Sequence, residues 1–413
     1  METSSRNVAT SRIIRQATLE IPQPKPHNAS MTSSPRPRVS AVRCDTYDLD
    51  RVRAAIHALL APLGGMRAFV STGDRVLIKP NFLIATKVEK AVCSHPVVIR
   101  AVVEAVLDAG AAEVSVGDSP AVGSGRGVAR KLGLIAALED LDVAVIDLKD
   151  SVVADAPDAD LFRRFEISRT VLDADRVINL AKLKTHGQMS LTMALKNTFG
   201  VVVGARKGAW HMEAGRDAKL FARMLVELHR RVAPSLNLVD AVVGMEGNGP
   251  NAGTSRDVGL LVASDDATLV DQYLCEVVCF PPEALPVLEV AWERSGGAAD
   301  LAGPLLVGPR AADVAVDDFA LARPQHISGV QGPLKRMIRQ IVEVRPKVRA
   351  ADCAGCGLCA SVCPADAIMM IEKEPRPLPR IDRTRCIHCF ICQEICPEGA
   401  IVVGRGFIRS LIR

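Results

Sequence analysis

The chain has 413 residues, 48% of them hydrophobic and 24% charged, a composition of globular proteins with two or three domains at this length. Aromatic residues are only 3% of the total, too few for a surface that stacks bases or sugars, and no run of about 18 or more uncharged apolar residues offers a membrane span. The formal net charge of +4 is too small for this length to argue for nucleic acid.

Residues 1–38 are rich in Ser, Pro and Arg, and Pro22, Pro24, Pro26, Pro35 and Pro37 work against an amphipathic helix. They are expected to be a disordered extension, with Met31 an alternative start. Residues 39–325 alternate short β-branched runs with longer helical segments. Strands are expected at Arg75–Lys79, Glu113–Gly117, Val143–Asp147, Arg176–Leu180, Leu236–Val243 and Val258–Ala263, and helices at Pro96–Ala109, Val128–Leu138 and Ala267–Val278. This alternation predicts an α/β domain with a mostly parallel, helix-covered sheet. Residues 326–348 are expected to be a basic linker helix. Leu334, Met337, Ile338, Ile341 and Val342 fall at helical spacing, and Lys335, Arg336 and Arg339 lie opposite. Residues 349–413 are expected to be a small α+β two-cluster ferredoxin-like domain with a short basic tail.

Eight of the twelve cysteines fall in that last segment. Cys353, Cys356, Cys359 and Cys363 are followed by Pro364; Cys386, Cys389, Cys392 and Cys396, followed by Pro397, repeat the pattern. The repeat continues past the cysteines, since Cys363-Pro-Ala-Asp-Ala-Ile368 matches Cys396-Pro-Glu-Gly-Ala-Ile401. Three closely spaced thiolates grip three irons of a cube, and the fourth of each run reaches across to the other cube. Two [4Fe–4S] clusters are therefore expected, one on Cys353, Cys356, Cys359 and Cys396, the other on Cys386, Cys389, Cys392 and Cys363. A pair of structural zinc sites would need two CxxC knuckles and no trailing Cys-Pro, so the repeated order favours clusters. Two loaded clusters, each about −2 with its thiolates, would bring the chain near neutrality. This stretch resembles bacterial two-cluster ferredoxins over residues 350–403.

Outside it, Cys275 and Cys279 share a helical spacing and are expected to be buried small hydrophobes, while Cys93 beside His95 is a weak nucleophile signal. No apolar secretory leader is visible, and unpaired cysteines in this number suit a reducing compartment, most simply a cytoplasm.

In a parallel sheet, ligands bind beyond the carboxyl ends of the strands. Those ends run here into Lys79-Pro80-Asn81, Asp118-Ser119-Pro120, Lys182-Leu-Lys184-Thr-His186, and Asp240 followed by Glu246-Gly-Asn248-Gly-Pro250. A helix is expected from Gln188 to Phe199, with Lys184 and His186 near its N-terminus as an anion site. Lys196 and Asn197 lie near its far end; Arg206, Lys207 and His211 follow. The substrate-binding candidates are Lys79, Asn81, Lys182, Lys196, Asn197, Glu246 and Asn248; the catalytic candidates are His186, Asp118 and Lys184. Gly123-Ser-Gly125-Arg-Gly127 lacks the spacing of a dinucleotide fingerprint and reads as a flexible loop.

The segments VLIKPNF, SHPVVIRAVVEAVLDAGAAEVSVGDSP, VINLAKLKTHGQMSLTMALKNTFG and VDAVVGMEGNGP resemble the family called domain of unknown function 362, over roughly residues 70–280. The resemblance implies an iron–sulphur protein and no particular substrate. Three functions remain open. One is a reductase that takes electrons from an external donor (a ferredoxin, flavodoxin or reductase) and delivers them to a small anionic molecule. Another is a non-catalytic electron-transfer subunit that docks on a partner enzyme. The third is a transferase or lyase with structural or redox-sensing clusters.

Overall fold

A computed structural model describes residues 39–204, 206–301, 305–321 and 345–404. The expected disordered extension over 1–38, most of the expected linker helix and the tail beyond 404 lie outside the described residues.

The larger domain contains strands β1 (Val39–Arg43), β2 (Arg75–Lys79), β3 (Glu113–Asp118), β4 (Ala144–Asp147), β5 (Ser151–Asp155), β6 (Arg164–Ser168), β7 (Arg176–His186), β8 (Ser190–Thr192), β9 (Leu236–Glu246), β10 (Thr254–Ser264) and β11 (Leu306–Val307). β5 and β6 form a hairpin of their own, and the rest make one sheet in the order β11-β1-β10-β9-β7-β2-β3-β4, with β8 folded back on β7. Strands β9, β7, β2, β3 and β4 are mutually parallel; β10 runs antiparallel to both β9 and β1.

Alternation along each strand sends neighbouring side chains to opposite faces. In β7, Val177, Ala181 and Leu183 enter one core and Ile178 and Leu180 the other; in β2, Leu77 faces the first while Val76 and Ile78 face the second. Helices Ala218–Val232, Ala267–Val277 and Pro286–Ser295 cover the first face, and Leu49–Leu60 and Pro96–Asp108 the second. Each Leu, Ile or Val so buried contributes about 1.5–3 kcal/mol, which is why the central strands read as near-continuous apolar runs.

The small domain contains β12 (Arg345–Val348), β13 (Ile368–Ile371), β14 (Leu378–Ile381) and β15 (Ile401–Gly404), paired β12–β15 and β13–β14, with one-turn helices at Leu358–Ser361 and Ile391–Glu394. It is a small α+β unit carrying all eight clustered cysteines.

Five sequence expectations change. The residues expected to end the linker helix, Arg345–Val348, form strand β12 and belong to the small domain, because they complete an antiparallel ladder with Ile401–Gly404. The helix expected over Gln188–Phe199 is instead β8, a single turn at Ala194–Asn197 and a tight turn at Thr198–Val201. Tertiary pairing decides this: β7 continues to His186, Lys184 pairs with Thr192, and the Asp271 carboxylate takes the Ala194 and Leu195 N–H groups at 2.7 and 3.2 Å. The Val128–Leu138 helix is two helices, Gly125–Lys131 and Leu134–Ala137, broken at Gly133 with φ 76°. The glycine-rich stretch before it is no loose loop, since Ser124 Oγ accepts from Gly127 N at 3.0 Å and a Cβ on Gly125 would stand 2.5 Å from the Asp118 carbonyl oxygen. Finally, Cys275 is buried, but Cys279 lies past the helix end, exposed, at φ 52°.

Candidate functional site

Strand β2 ends on Lys79 and β3 on Asp118, and the two side chains meet as a buried ion pair, Nζ to Oδ2 3.0 Å. Lys79 also donates to the Pro80 carbonyl at 2.7 Å and to Asn197 Oδ1 at 3.3 Å. Asp118 accepts from Phe82 N and Ser119 N, each at 2.8 Å. Charge and hydrogen bonds are thus both satisfied, the condition for keeping ions out of water. The Gly200 backbone passes so close that a Cβ there would collide with Asp118 Oδ1 and Lys79 Nζ. A chain of amides runs beneath: Asn81 Nδ2 to Asn197 Oδ1 3.1 Å, Asn197 Nδ2 to Asn179 Oδ1 2.8 Å, and Asn179 Nδ2 to Asn237 Oδ1 2.9 Å.

Along β7, Lys182, Lys184 and His186 share one side of the strand and meet three different environments. Lys182 is paired with Asp240 at 2.8 Å and donates to Tyr47 Oη at 2.9 Å, while Tyr47 donates to the other Asp240 oxygen at 3.0 Å and stacks on His95 at 3.5 Å. Lys184 donates to Asn81 Oδ1 and the Val92 carbonyl, both at 2.7 Å, with no carboxylate as partner among the described residues. Burial pulls its ammonium down to about 7. His186 Nδ1 accepts from Gln188 N and Met189 N at 3.0 and 3.1 Å. That nitrogen is therefore unprotonated, and the ring proton sits on Nε2, 2.7 Å from Glu394 Oε1 of the small domain. Burial pulls His186 down to about 4. Burial pushes Glu394 the other way, but His186, Lys196 and His211 outweigh it and hold the carboxyl below the usual carboxylate range.

The small domain seats on these strand ends. Gln393 Nε2 donates to Asn248 Oδ1 at 2.6 Å and to the Gly249 carbonyl at 3.2 Å. Asn251 donates to the Cys396 carbonyl at 2.6 Å, and Arg216 to that of Cys386 at 2.7 Å. Gly187 makes room: a Cβ there would stand 2.5 Å from Gln393 Oε1 and 3.3 Å from the Phe390 ring. Between the two domains lies a cavity of about 410 Å³. Lys79, Asn81, Asp118, Lys196, Asn197, Lys207 and His211 line it from the larger domain; Cys363, Pro364, Ile391 and Glu394 line it from the smaller.

Of the expected site residues, Lys79, Asn81, Asp118, Lys196 and Asn197 come together on this wall. Lys182, Lys184 and His186 do not line it, and the helix N-terminus expected beside them is the turn between β7 and β8. Glu246 accepts from Ala320 N at 2.9 Å, and Asn248 belongs to the domain contact. Cys93 is buried, its thiol pushed up by burial and its sulfur between Leu83 N and the Ile84 carbonyl, the setting of an inert thiol. Lys207 and His211, which follow the expected segment, and the contribution of the small domain could not be assigned from strand ends alone. The spacing Cys392-Gln-Glu394-Ile-Cys396 was the available signal for Glu394.

The cysteines fall into two neighbourhoods. Burial pushes the Cys359 thiol up to about 11, and Cys356, Cys396 and Cys353 push the same way. Burial pushes Cys389 up to about 12, helped by Glu394, Cys363 and Cys386. Backbone N–H groups point at three sulfurs, Gly355 to Cys353 at 3.4 Å, Ala367 to Cys363 at 3.3 Å and Ala400 to Cys396 at 3.3 Å. Among the described residues no three His, Cys, Asp or Glu side chains gather closely enough for a single metal ion. The thiols that push one another up, Cys359 with Cys353, Cys356 and Cys396, and Cys389 with Cys363 and Cys386, are drawn from the two sets expected for two cubes. The donor set fits iron–sulphur ligation.

Comparison with known proteins agrees. Residues 76–276 match the family model "Domain of unknown function (DUF362)" and residues 352–400 match "4Fe-4S dicluster domain". A thylakoid-associated protein of Synechocystis sp. is 40% identical over 304 residues, covering 73% of this chain and 92% of that protein. Among solved structures, the lactate racemase apoprotein from Thermoanaerobacterium thermosaccharolyticum aligns over 57% of this chain and 56% of its own at 14% identity, with a TM-score of 0.34, too low to carry an argument. On the sequence relative and both family models, the chain belongs to the DUF362 family and joins its α/β domain to a 4Fe–4S dicluster domain.

Proposed function

We propose that this iron–sulphur protein is a reductase in which two [4Fe–4S] clusters deliver electrons to a small anion held in the cavity between its domains. One cluster is assigned to Cys353, Cys356, Cys359 and Cys396, the other to Cys386, Cys389, Cys392 and Cys363. When bound, such clusters supply electrons one at a time. What carries the proposal is the shared wall: Cys363, a ligand in this assignment, lines the same cavity as Lys79, Lys196 and Lys207. A platform that only docked a partner enzyme would need no lysine-lined cavity against its own cluster ligand.

The side chains divide the work. Lys196 attracts the anion, Asn81 and Asn197 orient it, and the Lys79–Asp118 pair keeps the strand ends rigid beneath it. Glu394, fixed by His186, closes the wall on the cluster side and keeps bulk water away from the cysteines. Lys184 and His186, candidates for catalysis on sequence, act here as supports for Asn81 and Glu394. The electrons come from an external donor such as a ferredoxin, flavodoxin or reductase, in a reducing cytoplasm where free cysteines persist. A surface association, such as the name of the Synechocystis relative states for that protein, needs no membrane-crossing helix, and the described residues contain none.

The test is anaerobic. Protein reduced with dithionite and desalted is mixed with a panel of small anions while visible absorbance is followed. Reoxidation by particular anions, abolished in Cys363→Ser, is expected. Reduced clusters that stay reduced with every anion, yet pass electrons readily to a protein acceptor, would replace the reductase with the docking subunit.

A further inference from the structure

Two side chains of the cavity wall, Lys196 and His211, carry a polar atom with no partner among the described residues. Lys196 is half-buried and makes no hydrogen bond or ion pair among the described residues; Glu394 is the one charge that favours its ammonium form, from a distance. His211 is 3% exposed, and its buried Nδ1 has no hydrogen-bond partner. Its ring is clamped between Phe221, stacked at 4.2 Å, and Phe199, edge-on at 5.8 Å. Burial pulls it down to about 3, so it is a neutral imidazole at ordinary pH. The other two lysines of the wall are engaged, Lys79 with Asp118 and Lys207 with the carbonyls of Ser119, at 2.5 Å, and Val202, and Glu394 Oε1 lies 2.7 Å from His186 Nε2.

We infer that the cavity seats a small monocarboxylate, with its carboxylate on Lys196 and a neutral oxygen, carbonyl or hydroxyl, at His211. The inference rests on the cavity being the substrate site and adds the class of substrate. Charge sets the number of negative groups. Of the three lysines on the described wall, Lys79 is paired with Asp118 and Lys207 is held by carbonyls, which leaves Lys196 as the one ammonium there without a partner, and one ammonium balances one negative group. A phosphate dianion would overshoot. Among the described residues the wall also offers no arginine, the side chain whose fork matches phosphate in two bonds. The helix Arg206–Ala214 places Lys207 and Gly208 of its first turn on the cavity, which adds positive potential without adding a charge. His211 sets the second feature. Its ring lines the wall as a neutral imidazole, which suits a neutral oxygen as hydrogen-bond partner, whereas a second carboxylate would be repelled by Glu394.

The experiment uses the loaded full chain under anaerobic conditions, with four probes titrated calorimetrically at fixed ionic strength: pyruvate, propionate, pyruvamide and inorganic phosphate. Pyruvate is expected to bind most tightly, with pyruvamide and phosphate at least tenfold weaker. Lys196→Gln should weaken pyruvate and propionate at least tenfold. His211→Phe should bring pyruvate to the level of propionate. Melting curves identify a variant that fails through misfolding, and Lys196→Met then serves in place of the first. Phosphate binding better than every carboxylate, or pyruvate binding unchanged in a folded Lys196 variant, would overturn the inference. The cluster signal in electron paramagnetic resonance separates this outcome from failure of the reductase. Phosphate that perturbs the signal sinks the monocarboxylate and spares electron delivery. Pyruvate that binds through Lys196 but changes neither signal nor reoxidation rate keeps the seat and sinks the reductase.

Discussion

The His186 Nε2 stands 2.7 Å from the Glu394 carboxylate, so the end of the central strand is tied to the segment between Cys392 and Cys396. The His186 side chain is fully buried and that of Glu394 mostly so, and each is held by its own domain: His186 by two backbone N–H groups at Nδ1, Glu394 by the one-turn helix Ile391–Glu394. The contact therefore fixes where the cluster-bearing domain sits relative to the cavity. Position, more than proton transfer, is what it contributes.

The seat of the small domain can be wedged open at Gly187. A Cβ would press on Gln393 Oε1 at 2.5 Å and the Phe390 ring at 3.3 Å, and Gln393 cannot swing aside without leaving Asn248. Gly187→Ala is expected to cost about 1–3 kcal/mol, the range for overpacking. Hydrogen exchange should show the loss at 390–394 and 248–251, with the sheet around β2 and β3 unchanged. Uniform loosening of the whole chain would contradict this.

Gly200 guards the buried pair at the cavity floor. Any side chain there meets Asp118 and Lys79, so Gly200→Ala must push the ions apart, and breaking a buried pair costs about 3–5 kcal/mol. Urea denaturation should show a loss of that order. A change below about 0.5 kcal/mol would mean that the backbone there yields easily.

Lys184 should leave a mark on the pH dependence of stability. Its folded value is about 7, against about 10.4 in an unfolded chain. Between these values the unfolded chain holds a proton that the folded chain lacks, so stability rises with pH across the window, by at most about 1.4 kcal/mol per unit. Below the folded value both states are protonated and the contribution is flat. Lys184→Met should remove this part of the slope, measured as urea midpoints at about pH 7, 8.5 and 10. Lys207, pulled down to about 7 by burial, and Lys79, Lys182 and Lys196, which burial also pulls down, keep their own parts of it. An unchanged slope would show that Lys184 stays charged in the fold.

The cluster assignment gives a count and a pairing. Anaerobically prepared protein should hold about eight iron and eight sulfide per chain. Cys363→Ser should disturb the cluster of Cys386, Cys389 and Cys392, and Cys396→Ser that of Cys353, Cys356 and Cys359. Two resolved sets of resonance signals report which one is lost. About two zinc and no sulfide would end the assignment.

The cysteine repeat was legible because ligation to a cube is a matter of short spacing along the chain, and spacing is visible in sequence. The same holds for β2, whose bounds at Arg75 and Lys79 follow from its apolar run, and for the helix from Pro96, which opens on a proline and closes at a change of pattern. Local chemistry also marked Lys79, Asn81, Asp118, Lys196 and Asn197 as strand-end polar groups. Which lysine faces a ligand is another kind of question. Lys182 and Lys184 look alike in sequence, yet one meets Asp240 and the other only an amide and a carbonyl, because their partners come from β9 and from the loop after β2. The turn from β7 into β8 overrode a helical pattern for the same reason: pairing with a neighbouring strand and capping by Asp271 are worth more than local propensity. By itself the sequence determined the cluster chemistry, the alternating architecture and the polar strand ends, all set within a few residues. Only the tertiary structure decided that Cys363, Glu394, Lys196 and His211 share one cavity, since Coulomb attraction and desolvation depend on distance in space, and these residues become neighbours only when the small domain docks on the sheet.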